Sequence, residues 1–181
     1  MKDTLEASQL KKVIANLKDA KFTPVFVGGL ALILLGSDRT TFDTDLILRK
    51  PQNLKESQCL TKAMSKAKCY YVSKLDSIGN PISYIDNANV AASRIMIDKP
   101  DSIFFWNPDI EMRIDILLDF PLKADELLLR AENKKLDKST VIKIASLLDL
   151  KKMKEIAIKA RKNSKDLQDL EFIKNKIMQK I

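Results

Sequence analysis

The sequence predicts an α+β fold, in which a mixed β-sheet is flanked by helices and followed by a C-terminal helical unit. Both ends of the chain carry apolar residues at helical spacing, and the middle carries short β-branched and aromatic runs separated by Gly, Pro and Asn. A glycine pair, Gly28-Gly29, interrupts the first of these runs. With 181 residues, 45% of them hydrophobic, the chain can form one well-packed domain. We divide it into a core over 1–121 with an N-terminal helix and a basic helical region over 122–181 packed on the core.

The elements of the first half follow from periodicity and from turn residues. A helical stripe that includes Val13 and Leu17 predicts a helix over 3–20. The run 24–27 predicts a strand, 30–35 a short helix that ends at Gly36, and 43–49 a second strand. Asn53 and Glu56 predict the capped start of a helix that runs to about 68.

Shorter elements are expected in the rest of the chain. Five further strands are predicted, over 69–73, 82–86, 94–98, 103–106 and 111–118. After Pro121 the pattern becomes helical, first over 123–133, and then gives a short apolar run over 141–145. Ser146 and Ser164 are expected to cap two final helices, which end near 161 and 179.

The charge of the chain is basic, with a formal net charge of +8. Residues 123–181 hold 16 Lys and Arg against 9 Asp and Glu, so most of the excess lies in the predicted C-terminal helices. Such a surface attracts polyanions, although a solubilising lysine-rich surface would have the same composition. No apolar run has the length of a membrane span or of a signal peptide, and Cys59 and Cys69 fit reduced, buried thiols. We therefore expect a cytoplasmic protein with no membrane partner.

Two carboxylates stand out at the start of the second predicted strand. Asp43 and Asp45 are separated by one residue, so on an extended chain they project from the same face. Two such carboxylates repel each other unless a cation lies between them, and oxygen ligands in a chain without histidine favour Mg²⁺ or Mn²⁺. The alternative is a pair of solvated or helix-capping acids.

The glycine pair and the loop after it suggest phosphate contacts. Gly28 and Gly29 let the backbone approach a phosphate at the start of a helix, although they would also form a merely tight turn. Arg39 can clamp a phosphate with its planar guanidinium, and Thr41 can order the loop or contact a nucleotide. The alternative for Arg39 is an ordinary surface position.

A third acid, Asp115, interrupts an apolar strand, where an unpaired carboxylate would be costly. It either binds a metal ion or forms an ion pair with Arg113 or another neighbour. The nearby run 104–106, Phe-Phe-Trp, is either a base-stacking platform or part of the core.

These residues together resemble the nucleotidyltransferase superfamily that includes DNA polymerase β. The string that carries the resemblance has a glycine pair, then Arg-x-Thr-x-Asp-x-Asp-Leu over 39–46. It is most similar to the AbiEii-type subgroup, the toxins of bacterial type IV toxin–antitoxin systems. A second block agrees with that subgroup, over 145–154 and then at Arg161 and 165–170. The predicted mixed sheet is therefore expected to be nucleotidyltransferase-like.

The resemblance implies transfer of a nucleoside monophosphate from an NTP to an acceptor hydroxyl, on tRNA or on a protein, and a cognate antitoxin as a partner. Asp43, Asp45 and Asp115 would hold two Mg²⁺ or Mn²⁺ ions, and Asp115 could also act as the general base. Lys154 would neutralise charge on the triphosphate. Asp166 and Arg161 would contact Lys154, the base or the ribose, or would only form ion pairs between the last helices. Two other functions stay open, an inactive nucleotide- or RNA-binding module and an antibiotic-modifying nucleotidyltransferase.

Overall fold

The fold is known from a computed structural model that describes residues 2–41, 43–161 and 163–179. Seven helices lie in this part of the chain: α1 Lys2–Asp19, α2 Gly28–Leu34, α3 Leu54–Lys66, α4 Ala88–Asp98, α5 Ala124–Arg130, α6 Leu147–Ala160 and α7 Ser164–Met178. Eight strands alternate with them: β1 Val25–Val27, β2 Asp43–Leu48, β3 Tyr70–Leu75, β4 Pro81–Ile85, β5 Ser102–Asn107, β6 Met112–Leu118, β7 Glu132–Lys135 and β8 Val141–Ile144.

All eight strands form one mixed sheet in the order β4-β3-β5-β6-β2-β1-β8-β7. The pairs β2–β6 and β1–β8 are parallel, and the other five are antiparallel. The most buried part of the sheet is its centre, where β1, β2 and β6 are neighbours. This centre also carries all three acids that the sequence singles out.

The alternation along β6 separates two faces of the sheet. Ile114 and Ile116 point into the hydrophobic core and are fully buried. Arg113, Asp115 and Leu117 alternate with them and are only half-buried. We call the face that carries Arg113 and Asp115 the site face.

Side-chain caps fix several helix starts as predicted. Asn53 accepts a hydrogen bond from the backbone N–H of Glu56 at the start of α3, and Ser146 accepts one from Asp149 at the start of α6. At α7 the cap is Asn163 and not Ser164, which is the first helical residue. The cap expected at this helix is thus displaced by one position.

The strand predicted over 94–98 is wrong, because these residues form the last turns of α4. Asn87 caps this helix by accepting hydrogen bonds from the backbone N–H groups of Asn89 and Val90. Ala91, Ala92 and Ile95 are the buried residues of α4 and lie at helical spacing along one face. The cap and this spacing outweigh the short β-branched run on which the strand was predicted.

The expectation of a wholly helical region after residue 121 is also corrected. α5 ends at Arg130, and β7 and β8 then add to the sheet beside β1. Alternation of burial along β8, with Ile142 and Ile144 buried and Val141 exposed, is the period of a strand. The sheet thus contains strands from both sides of residue 121.

Both cysteines are free thiols, as predicted, but only Cys69 is buried. Cys59 is exposed on α3, so the expectation that it is buried is wrong. Among the described helices, none combines the length and the apolar character needed to cross a membrane.

Candidate active site

The glycine turn is built around the carboxylate of Asp45. Gly28 has a φ of +60°, which side chains rarely adopt, and a Cβ on it would lie 1.9 Å from Oδ2 of Asp45. The backbone N–H of Gly29 favours the ionised form of Asp45 and so acts to lower its pKa. Glycine at position 28 is therefore required by both conformation and space.

The two flanking strands bring Asp45 and Asp115 side by side. In the parallel pair β2–β6, Asp45 is the register partner of Asp115, and Asp43 is the partner of Arg113. Register partners share a face, so all three acids lie on the site face. This is the juxtaposition that the sequence predicts.

Arg113 binds the carboxylate of Asp115 with two hydrogen bonds. Its Nε lies 2.9 Å from Oδ1 and its Nη2 lies 3.3 Å from Oδ2 of Asp115. The same Nε is 3.9 Å from Oδ1 of Asp43. Nη1 donates to the carbonyl oxygen of Gly79 at 3.1 Å, and the guanidinium lies 4.3 Å from the ring centroid of Phe104. The ion-pair alternative for Asp115 is thus the contact that the structure contains.

Burial dominates the electrostatics of the acids. Burial raises the pKa of Asp115 to about 7, even though the Arg113 guanidinium acts in the opposite direction. Burial also raises the pKa of Asp45, and the neighbouring Asp43 carboxylate adds to the rise. Three negative charges at this place are therefore unfavourable without a further cation.

The chemistry of these side chains fits a hard divalent cation. Three carboxylates on one face supply only oxygen ligands, and Arg113 neutralises one of the three charges. Within 2–41, 43–161 and 163–179, however, no three Asp, Glu, His or Cys side chains are already arranged as a metal site. Asp115 can therefore become a full metal ligand only if Arg113 gives up at least part of its two-bonded contact.

A network of ion pairs holds Lys154 close to the acids. Nζ of Lys154, on α6, lies 2.8 Å from Oδ1 of Asp166 and 2.6 Å from Oδ2 of Asp169, both on α7. Arg39 also binds Oδ2 of Asp169, at 2.5 Å, and Arg161 binds Asp166 at 3.0 Å. Lys154 is close enough to Asp45 to favour its ionised form. The network connects the two last helices to the loop before β2.

The two acids of the network are almost fully buried. The side chains of Asp166 and Asp169 are 4% and 7% exposed. Burial alone would raise the pKa of Asp166, but hydrogen bonds from Lys154 and Arg161 outweigh it and hold that pKa below the usual value. Asp166 is therefore an ion-pair partner of Lys154, and its carboxylate is already satisfied within the protein.

Arg39 and Thr41 lie over the second glycine of the turn. A Cβ on Gly29 would lie 2.8 Å from the Thr41 side chain and 3.1 Å from Cζ of Arg39. The hydroxyl of Thr41 donates to the carbonyl oxygen of Asp43 at 3.3 Å, which orders the loop, one of the two roles expected for it. Phe42, which follows Thr41 in the sequence, lies outside the described residues.

A cavity of about 300 Å³ opens beside Asp45. Its floor is the glycine turn and its wall is α6, so Gly28, Asp45 and Lys154 all line it. Arg161 also contributes to its lining, and the remaining surface is apolar and comes from Val27, Leu117, Phe120, Pro121, Leu150, Met153, Ile156, Ala157 and Ala160. The charged groups thus meet at one end of a largely apolar cleft.

Two residues of this site contribute more than the sequence predicts. Asp169 bridges Arg39 and Lys154, and its spacing of three residues from Asp166 on a helix is the signal that places both on one face. For Arg113 the sequence suggests an ion pair with Asp115 and no further role in the site, and its two-residue spacing from that acid is the corresponding signal on a strand. In the run 104–106, Phe105 belongs to the core, whereas Phe104 and Trp106 lie half-buried on the site face.

Comparisons with known proteins give a fold and no family. No protein-family model and no curated protein matches the sequence. Among solved structures, the solution structure of the antibiotic-resistance factor ANT(2'')-Ia is similar, with a TM-score of 0.60 and 12% identity, over 97% of this chain and 85% of that one. The nucleotidyltransferase-like α+β fold that the sequence predicts is thereby confirmed.

Proposed function

We propose that this protein is a nucleotidyltransferase that moves a nucleoside monophosphate from an NTP to an acceptor hydroxyl. The observation that carries the proposal is the register pair Asp45–Asp115, of which Asp45 lies against the Gly28 turn and lines one cavity together with Lys154. Similarity of fold to the antibiotic-resistance factor ANT(2'')-Ia supports nucleotidyl transfer as the class of reaction. The resemblance of the sequence motifs to AbiEii-type toxins further supports a nucleic-acid or protein acceptor and a toxin role.

Each side chain has a defined task in this reaction. Asp43, Asp45 and Asp115 would hold two Mg²⁺ or Mn²⁺ ions, which supply positive charge to the triphosphate and lower the pKa of the acceptor hydroxyl. Asp115 could also accept the proton of that hydroxyl, as a general base beside the attacking oxygen. Asp115 can accept this proton only after Arg113 has released it. The Arg113–Asp115 contact would therefore be present in the site without substrate and broken in the site with substrate bound.

Cations of the ion-pair network complete the triphosphate site. Lys154 lines the same cavity as Asp45 and can place its ammonium beside the β- and γ-phosphates. Arg39 lies over Gly29 and can bind phosphate with its planar guanidinium. Asp166 acts on the nucleotide through Lys154, which it positions.

The test is transfer of label from each α-labelled NTP, with Mg²⁺, to total tRNA, to the protein itself and to a panel of antibiotics. The proposal predicts labelling of one acceptor class that is lost in Asp45→Asn and kept in Asp101→Asn. Asp101 is a suitable control because it is exposed and its ion pair, with Lys50, lies outside the site. Labelling that survives Asp45→Asn would refute the assignment.

A nucleotide-binding module without turnover is the second candidate. It is favoured by the two-bonded contact of Arg113 with Asp115, which neutralises the third acid without a metal ion. NTP binding, measured by equilibrium dialysis, without transfer to any acceptor would support this module over the enzyme.

A further inference from the structure

Four aromatic side chains follow one another across the site face, starting beside the acids. Phe104 on β5 is the register partner of Asp115, and Trp106 is the partner of Arg113. Tyr70 on β3 is in turn the partner of Trp106. The ring of Tyr84, on β4, stacks on that of Tyr70 with centroids 5.5 Å apart and planes at 15°. We call these four residues the aromatic row.

The aromatic row is not part of the hydrophobic core. Tyr84 is 44% exposed, and the other three side chains are half-buried. By contrast, Tyr71 and Phe105 point to the opposite face, where their rings meet edge to face at 6.1 Å and pack with the core. Side chains of β3 and β5 are thus divided between a structural face and an accessible one.

We propose that the aromatic row binds a single-stranded nucleic acid, whose bases stack on the rings while its terminal hydroxyl reaches Asp115. This inference rests on the proposed function and names the acceptor class of that site. Neighbouring strands are about 4.8 Å apart, so the three steps from β6 to β4 span roughly 14 Å. That distance accommodates several stacked or splayed bases along a path that ends at the carboxylates.

Shape and charge together favour a nucleic-acid strand. Aromatic rings on an uncovered sheet face bind unpaired bases because each base offers a π-face. Lys74, near the end of β3, is exposed and can meet phosphates, and Lys68, just before β3, is exposed and paired with Asp109. Arg113, stacked over Phe104, adds a planar cation between the row and the acids.

Trp106 gives this proposal a direct signal, because it is the only tryptophan of the chain. The experiment titrates the full-length protein, without NTP, with a mixed-sequence single-stranded RNA octamer and follows tryptophan fluorescence. We expect saturable quenching, and we expect Tyr84→Ala to weaken binding at least fivefold, the loss typical of one stacked base. Ile97→Ala is the matched control, since it removes an exposed apolar side chain on α4 and should change neither signal nor affinity.

The outcomes separate this inference from the proposed function. No quenching, or equal affinity of Tyr84→Ala and Ile97→Ala, would overturn the row as a nucleic-acid surface. Binding of Mg²⁺–NTP to the same proteins, measured in parallel by equilibrium dialysis, should be unaffected by Tyr84→Ala. Retained NTP binding with no RNA binding would therefore contradict the aromatic row alone, whereas absent NTP binding would contradict the catalytic assignment. The inference would also be overturned if the labelled acceptor is a protein and Tyr84→Ala does not change the amount of label transferred to it.

Discussion

Arg113 and Asp115 lie two residues apart on β6 and are joined by two hydrogen bonds, with Nε 2.9 Å from Oδ1 and Nη2 3.3 Å from Oδ2. The guanidinium thus neutralises the carboxylate that a metal ion would also bind. A third bond, to the carbonyl oxygen of Gly79, fixes Arg113 to the turn between β3 and β4. If the proposed function is correct, Arg113 and a divalent cation compete for the carboxylate of Asp115.

Removal of this guanidinium should strengthen metal binding. In Arg113→Gln the carboxylates lose the guanidinium that competes with a cation. We expect the affinity for Mn²⁺ to rise by about fivefold or more, which corresponds to a competing ion-pair free energy of roughly 1 kcal/mol. Free and bound Mn²⁺ are distinguished by electron paramagnetic resonance. Arg94→Gln, which removes an exposed arginine paired with Asp98, is the control. Unchanged or weaker Mn²⁺ binding in Arg113→Gln would contradict a cation site on Asp115.

The contribution of Asp115 to the stability of the metal-free protein should fall as the pH rises from about 4 to 7. Asp115 has a pKa of about 7 in the folded protein, well above that of a carboxyl group in an unfolded chain, so the folded state binds more protons in this interval. Asp115→Asn should flatten the slope of unfolding free energy against pH, measured with urea. An unchanged slope in Asp115→Asn would show that the titration belongs to another group.

Gly28→Ala should affect the site more than an equivalent glycine substitution elsewhere. The new Cβ meets the Asp45 carboxylate and must also adopt a φ of +60°, which costs about 1–2 kcal/mol by itself. Gly36→Ala is the matched control, because Gly36 also has a positive φ, +94°, but its nearest neighbour would be 3.7 Å away. We expect both variants to lose thermal stability and only Gly28→Ala to lose Mg²⁺–NTP binding. Equal NTP affinity in the two variants would remove the turn from the site.

Asp169→Asn should weaken nucleotide binding through Arg39 and Lys154. One oxygen, Oδ2, accepts from both cations, so the neutral amide leaves each side chain less firmly placed. We expect the KM for NTP to rise about tenfold and kcat to change less, because the loss is in binding. Steady-state kinetics of Asp169→Asn and of Glu171→Gln, an exposed acid on the same helix, make the comparison. A fall in kcat at unchanged KM would show that Asp169 acts on the chemical step instead.

Local spacing predicts which acids of the central strands share a face, and the sheet register agrees with that prediction. The alternation of strand side chains placed Asp43 and Asp45 together, and the glycine pair marked the turn that Asp45 fills. Asp115 could be recognised as unusual because an acid in an apolar strand needs a partner. The sequence left two partners open, and the register alone does not decide between Arg113 and a cation.

Long-range pairing explains what the sequence did not predict. The parallel pairing of β8 with β1 joins residues more than a hundred positions apart, so the short apolar run 141–145 carried no local sign of its neighbour. The bridge from Asp169 to Arg39 spans a similar separation. Local patterns cannot reveal such contacts, which depend on how the helices pack against the sheet.

The most direct test of the central claim is a crystal structure with Mn²⁺ and a non-hydrolysable NTP. The account predicts anomalous density between the carboxylates of Asp45 and Asp115, the triphosphate within reach of Lys154, and Arg113 moved away from Asp115. A structure in which the NTP analogue binds elsewhere, with no Mn²⁺ density at these acids and Arg113 still bound to Asp115, would contradict it.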